Sequence, residues 1–357
     1  MTSTNSANWI LVTGTSTGIG RAATFTLAKN GYRVLAAVRK QEDIESLLAE
    51  AGTRRVVGSV EPIILDVTDA GQIAAAVDIV NARIAAGGRL HAIVHNAGAQ
   101  WAGPIETMPL TEWRSQFDVL FFGPIALTQQ LLPQLRASGG RVINVTSIGG
   151  IMPGPMIAAY QAAKAAFEAV SDSMRIEFSP FGVHVSAIAP GSISTPMLNR
   201  SSDQLNRLAD ALPKSLQPFY ADALRAFAKT VASAQRFSTS PAKASLTILR
   251  AVTAPRPRTR YLIGTDAKLS AFLKRNLPDR WIDAIIFRLV GLPRQREQPT
   301  DQGESDVRRV RCQPAAKKCN LRSQEDWWLV YTEPYWGSNR SVIVGSSAAS
   351  NLLEGQI

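Results

Sequence analysis

Tyr160 and Lys164 stand four residues apart in AAYQAAKAA, residues 158–166, a run whose alanines favour helix. Positions i and i+4 share one helix face, with Cβ atoms about 5–6 Å apart. A phenol beside an ammonium is a recipe for proton exchange. A free phenol titrates near about 10. A cation about 5 Å away, at an effective dielectric of about 20, favours the phenolate by about 3 kcal/mol, or about two pK units, before any desolvation cost. The same pair also suits plain packing, with a half-buried ring and a lysine stem reaching for solvent. The rest of the chain has to decide between them.

A second stretch carries phosphate chemistry. TGTSTGIG places Gly14, Gly18 and Gly20 between the apolar run WILVTG and the helix-forming RAATFTLAKNG. Glycines there allow a tight turn and close backbone approach to a pyrophosphate. The following helix offers free N–H groups and the positive end of its dipole. The strand before and the helix after are the context that separates this pattern from a chance glycine repeat.

Elements that position both motifs are legible along the chain. Apolar, β-branched runs (YRVLAAV, EPIILDV, LHAIVHNAG, GRVINVTS, VHVSAIAPG) alternate with helical stretches, among them DIESLLAEAG, GQIAAAVDIVNARIAAGG and the long TEWRSQFDVLFFGPIALTQQLLPQLRASG with an internal proline. Such alternation predicts βαβ units and a parallel sheet. Strands apolar on both faces predict helices on either side. The expected fold is α/β: a doubly wound, Rossmann-like parallel sheet with helices on both faces.

Composition narrows the function classes. The 357 residues are 45% hydrophobic and carry a net charge of +11. The basic residues are scattered, and no aromatic-and-basic nucleic-acid motif is present, so nucleic acid is not an expected partner. Both cysteines, Cys312 and Cys319, lie near the C-terminus, which excludes a disulfide framework for the main body and suits a reducing compartment. The polar start MTSTNSAN lacks a signal-peptide core, and no apolar run approaches a membrane span, so a cytoplasmic location is expected. No His/Cys/Asp ligand cluster appears, so no metal is expected.

Taken in order, these motifs resemble the short-chain dehydrogenase/reductase family: G-x-x-x-G-x-G at Gly14–Gly20, LDVTD at Asp66, HNAG at His95–Gly98, NVTS ending in Ser147, Y-x-x-x-K at Tyr160 and Lys164, and PGSISTP from Pro190. The resemblance spans residue 9 to about 200 and continues more loosely to about 293. It implies that Tyr160 is the acid/base, that Lys164 lowers its pKa and holds the nicotinamide ribose, and that Ser147 positions the substrate oxygen. It places Gly14, Thr15, Ser16, Gly18, Ile19 and Gly20 at the pyrophosphate, and Asp66 and Val67 at the adenine. Asn96, Ala97 and Gly98 follow along the cofactor, with Pro190, Gly191, Ile193 and Thr195 on the nicotinamide side. It also implies a homodimer or homotetramer.

Cofactor choice turns on the end of the second strand, where NAD-preferring members carry an acid for the ribose 2′-OH. That position is Val38, followed by Arg39 and Lys40. Arg39 has a planar donor fork suited to a 2′-phosphate, so NADP(H) is expected.

Two departures stand out. Leu120 occupies the place of the family's helix-bending, water-holding Asn, and His95 replaces another Asn and is read as packing for the cofactor loop. Leu120 keeps open a second class, a non-catalytic NADP(H)-binding sensor or regulator. The intact Ser147, Tyr160 and Lys164 argue for an oxidoreductase. Gln100, Trp101, Met152, Pro155 and Met197, with a lid over about 196–237, form a mostly apolar surround that fits a hydrophobic alcohol or ketone such as a steroid, retinoid or lipid-derived carbonyl.

The segment LSAFLKRNLPDRWIDAIIFRLVGL mixes apolar and basic faces. It is read as core packing, with a pocket cover or peripheral membrane contact as alternatives. Residues 1–293 are expected to form one catalytic domain. From Arg294 the composition turns polar and aperiodic, then aromatic between Trp327 and Trp336. The tail, 294–357, is expected to be disordered or loosely docked, since a polar mixed-charge stretch buries too little apolar area to offset its ordering entropy. An interaction segment and sequence foreign to the gene are the other readings.

Cutting the chain after Pro293 is expected to leave melting temperature and NADPH turnover within error of the full chain. A large drop in melting temperature, or insolubility, would place the tail within the fold.

Overall fold

A computed structural model describes residues 7–290, and the tail beyond them lies outside the described residues. Seven parallel strands form one sheet: β1 (Asn8–Val12), β2 (Arg33–Val38), β3 (Ser59–Ile64), β4 (Arg89–His95), β5 (Arg141–Val145), β6 (His184–Pro190) and β7 (Arg260–Ile263). Their order is β3-β2-β1-β4-β5-β6-β7. The helices are α1 (Gly18–Lys29), α2 (Gln41–Thr53), α3 (Ala70–Ala85), α4 (Leu110–Phe117), α5 (Gly123–Ser138), α6 (Ala158–Phe178), α7 (Pro196–Ala211), α8 (Gln217–Gln235), α9 (Pro241–Thr253), α10 (Thr265–Asn276) and α11 (Asp279–Val290). The expected doubly wound architecture is present.

Alternate residues of each strand face opposite sides, and both sides are apolar. Ile10, Val12, Val34, Ala36 and Val94 meet one helix layer, which includes Leu27 of α1 and Ile248 of α9. Leu11, Leu35, Ala37 and Ile93 meet the other, with Val80 of α3 and Leu127, Leu131 and Leu135 of α5. Each fully buried Leu or Ile contributes about 1.5–3 kcal/mol. Such two-sided burial locks strand register, and register sets which residues leave the strand ends.

The long helix expected after β4 is not uniform. A π-helical turn, Asp118–Phe122, joins α4 to α5, and Leu120 sits in it at 1% exposure. The widened turn therefore forms without the family's Asn. Gly123 follows it against Val67: a Cβ there would come 2.5 Å from the Val67 carbonyl oxygen. The internal proline, Pro133, lies within α5.

Residues of the expected lid fold as α7 and α8, a helical pair with its own small core of Leu205, Ala209, Leu224 and Ala228. That core also touches Ala102 and Met156. Met156 adopts a positive φ of 68°, unusual for a side chain with a Cβ, and its carbonyl accepts a 2.7 Å bond from Gly103 N.

Core packing accounts for only part of the segment from Leu269 to Leu292. Ile282 and Val290 are buried, but Leu269, Phe272, Trp281 and Leu289 are exposed. Among the described residues no helix is long and apolar enough to cross a membrane.

Candidate active site

Strand order reverses between β1 and β4, and the loops leaving their C-terminal ends part there to leave a crevice. The phosphate loop after β1 and the HNAG loop after β4 are pressed together. Gly14 has φ 68°, and a Cβ on it would sit 2.7 Å from the Ala97 Cα. At Gly20 a Cβ would meet the Gly14 carbonyl oxygen at 2.2 Å and Asn96 Nδ2 at 2.4 Å. Only glycine fits at either position.

Asn96 holds the contact by donating from Nδ2 to the Thr13 and Gly14 carbonyls, both at 3.0 Å. Thr13 returns the link, its Oγ1 accepting from the backbone N–H of Asn96 and of Ala97. Thr13 was not singled out from sequence, because nothing in a strand-end threonine announces a partner 83 residues away.

Helix α1 opens on this crevice. Its N-cap residue, Thr17, makes no side-chain cap, and no acidic residue stands in its first turn. The free N–H groups and dipole at that end, beside glycines that leave the approach open, fit a dinucleotide's pyrophosphate. Ser16 lies in the loop, its carbonyl accepting from Arg21, and Ile19 packs inward on the core. Thr15 differs from expectation. Its side chain is fully buried, and both its N–H and its hydroxyl donate to the Ala37 carbonyl at 3.0 Å. It ties the loop to β2 and has neither donor free for a phosphate.

The other residues expected at a cofactor follow the C-terminal ends of β2, β3 and β6. Arg39 and Lys40 are exposed just past β2. Asp66 follows β3, with Oδ1 accepting from the backbone and hydroxyl of Thr68 in a local turn, and Val67 is buried. Beyond β6, Pro190 ends the strand and Gly191 passes so close to Asp266 that a Cβ would meet its carboxylate at 2.3 Å. Asp266 accepts from Ser192 N at 2.6 Å and so fixes the loop carrying Ile193 and Thr195. Thr195 caps α7 and lies against Gly18, which brings the loops after β1 and β6 together. Asp266 also escaped sequence reading, since it lies outside every motif.

Ser147, Tyr160 and Lys164 converge at the end of β5. Ser147 caps a short 3-10 turn, Ile148–Gly150, its Oγ accepting from Gly149 N at 3.1 Å. That turn lies on α6: a Cβ on Gly150 would come 2.8 Å from the Lys164 carbonyl carbon. The Ser147 hydroxyl stands close enough to the Tyr160 phenol to favour its ionised form. Lys164 is buried and donates from Nζ to the Val145 carbonyl at 2.7 Å.

Electrostatics here depart from the sequence expectation. Burial raises the Tyr160 phenol above its ordinary value, and the Ser147 hydroxyl opposes it. The expected depression by Lys164 is not what acts on the phenol. Burial acts on the lysine too: it pushes the ammonium down to about 8, while the Glu168 charge holds it up.

The His95 side chain, expected to pack the cofactor loop, is tied to α5 and α6. It is buried at the end of β4, with Nε2 2.7 Å from Thr128 Oγ1 of α5 and its ring edge-on to Phe167. Thr128 Oγ1 lies 2.8 Å from the Pro124 carbonyl, so its proton goes there and the imidazole is the donor from Nε2. Burial, helped by the Lys164 charge, pushes His95 down to about 3 and keeps it neutral. Leu120 and Met197 flank Gly98, within 3.6 and 3.9 Å of where its Cβ would stand. Trp101 N donates to Gln116 Oε1, and Gln100, Met152 and Pro155 are half-buried nearby in sequence.

The chain matches the short chain dehydrogenase family over residues 8–206. It is 33% identical to retinol dehydrogenase 5 of Mus musculus, over 80% of this chain and 90% of that protein. It is 34% identical to retinol dehydrogenase 7 of Rattus norvegicus, over 78% and 87%. Identity to the NADPH-dependent 3-dehydrocapnine reductase of Ornithobacterium rhinotracheale is 29%, over 78% and 96%. Among solved structures, a short-chain dehydrogenase from Streptomyces avermitilis aligns with a TM-score of 0.63 at 28% identity, over 80% of this chain and 98% of that one.

Gly20→Ala forces the two loops apart and is expected to weaken nicotinamide-dinucleotide binding at least about tenfold, with a fall in melting temperature of several degrees. Fluorescence titration and thermal melting read both. Unchanged affinity would remove the loop contact from the binding site.

Proposed function

The chain belongs to the short-chain dehydrogenase family, and we propose that it transfers a hydride between NADP(H) and a hydrophobic alcohol or its ketone. The observation that carries this reading is the meeting of Ser147, Tyr160 and a buried Lys164 beside a crevice whose loops fit a dinucleotide. When bound, the nicotinamide supplies or accepts the hydride.

The protein's own groups handle the proton and the position. Ser147 donates a hydrogen bond to the substrate oxygen and steadies charge developing on it. Tyr160 gives its proton to that oxygen in reduction and takes it back in oxidation. A phenol held above its ordinary value is protonated at neutral pH, the form that gives the proton in reduction. Lys164 keeps an ammonium behind the tyrosine and holds the ribose hydroxyls, as in the family.

NADP(H) preference rests on Arg39, exposed at the end of β2, with Val38 where an acid would stand. The name of the NADPH-dependent relative points the same way. A bulky apolar substrate is supported by Leu120 and Met197 at Gly98, by Met156 and Ala102 against the α7–α8 core, and by the retinol dehydrogenases among the relatives. A steroid, retinoid or lipid-derived carbonyl meets these conditions. The sensor alternative rests on Leu120, fully buried where the family holds a water. The complete Ser147–Tyr160–Lys164 set weighs against it.

Tyr160→Phe keeps the ring and removes the proton. Turnover of hydrophobic ketones with NADPH is expected to fall about 10²–10⁴-fold with NADPH affinity nearly intact. Wild-type turnover in that variant would rule out Tyr160 as the acid.

Arg39→Asp removes the 2′-phosphate partner and offers an acceptor to a 2′-OH. The KM for NADPH is expected to rise about tenfold or more while NADH use improves. A preference that does not move would take Arg39 out of the cofactor site.

A further inference from the structure

One buried charged group near the site has no part in the reading above. Glu168 lies on α6 one turn beyond Lys164, so Tyr160, Lys164 and Glu168 stand at i, i+4 and i+8 on one face. Its side chain is 9% exposed. Such a carboxylate stays charged only when its oxygens are matched. Here both are. Thr146 Oγ1 lies 2.5 Å from Oε1, and Arg260 Nε donates to Oε2 at 2.7 Å. Arg260 also reaches Asp172 at 3.2 Å.

The placement of Thr146 is what ties this cluster to the reaction. It stands between Val145, whose carbonyl takes the Lys164 ammonium, and Ser147. A hydroxyl has one proton. The Thr146 proton goes to the nearer acceptor, Glu168 Oε1, and the Ile188 carbonyl, 2.9 Å away, is the secondary one. The strand end that carries Ser147 and receives Lys164 is thus clamped to an anion on the lysine's own helix.

We infer that Glu168 is a positioning residue for the proton-transfer step, an anion clamped by Thr146 and Arg260 that keeps Lys164 in its ammonium form. The inference rests on the proposed oxidoreductase reading and assigns a source for the charge that reading needs. The groups around Lys164 make Glu168 the relevant anion. From α6 it meets Tyr160 and Glu168. His95 comes from β4 and is neutral. The π-helical turn and α4 also pack on α6: Leu120 is apolar, Asp118 and Arg114 are exposed, and Glu112 is half-buried. The one ionisable residue of β6, His184, lies at the far end of that strand. Arg260 of β7 acts through Glu168, and Asp172 lies beyond it, paired with Arg260 and Arg175. Burial pushes the lysine down and Glu168 opposes it.

The sign is fixed by charge. Removing the anion makes the ammonium less favourable, so Lys164 loses its proton at lower pH. In Glu168→Gln, the alkaline limb of kcat/KM for NADPH-dependent ketone reduction is expected to move down by about one pH unit. The rate on the acid side of the limb should be kept to within a few-fold. Thr146→Val leaves the charge and breaks the clamp; it is expected to lower the melting temperature and leave the limb in place. A Glu168→Gln limb coincident with wild type, or an equal shift in Thr146→Val, overturns the inference. The pH dependence of acetic anhydride labelling at Lys164, read by peptide mass spectrometry without substrate, is expected to show the same shift. That readout separates failure here from failure of the proposed function: a wild type without ketone reduction refutes the latter, while unshifted labelling in Glu168→Gln refutes the former.

Discussion

The site turns on a buried ammonium. Lys164 has lost nearly all its water, and removing a cation from water costs several kcal/mol even after relaxation. Its visible compensation is one carbonyl at 2.7 Å, the charge of Glu168 one turn away and the Phe167 ring 5.8 Å from Nζ. The carbonyl contact holds only if α6 lies across the end of β5 at a fixed height, since Glu168 and Phe167 belong to the lysine's own helix. The 3-10 turn after Ser147 can pass α6 only because Gly150 has no side chain. The geometry of Ser147 and Tyr160 follows from that same seating.

The dinucleotide side is governed by exclusion of side chains rather than by added contacts. Gly14 and Gly20 let two loops touch across the strand-order reversal, while Thr13 and Asn96 supply the hydrogen bonds that close them. Gly191 does the same against Asp266 on the far side. The crevice is therefore bounded by backbone at both ends. Backbone N–H groups and a helix end are what a pyrophosphate requires.

The proposed substrate side is built differently. Helices α7 and α8 pack chiefly on each other and touch the body at Ala102 and Met156. An element with its own small core can shift as a unit without disturbing the sheet, a property suited to a cover over a bulky apolar ligand. Met156, at a positive φ, is the residue where that cover meets the segment after Ser147.

What the sequence determined by itself is whatever depends on local pattern. Runs apolar on both faces dictate parallel strands under two helix layers. Glycine spacing between a strand and a helix dictates the phosphate loop, and a fixed i, i+4 step puts Tyr160 and Lys164 on one face. What required the tertiary structure are properties set by distant partners and by loss of water. The inward turn of Thr15, the tie of His95 to Thr128 and the service of Asp266 to Gly191 and Ser192 join residues far apart in the chain. The phenol's pKa went opposite to the pairwise estimate because that estimate priced a neighbouring charge and left out burial. The place of Glu168 beneath the lysine emerged only when β5, α6 and β7 came together, since Thr146 and Arg260 are 114 positions apart and acquire a common carboxylate only in the folded chain.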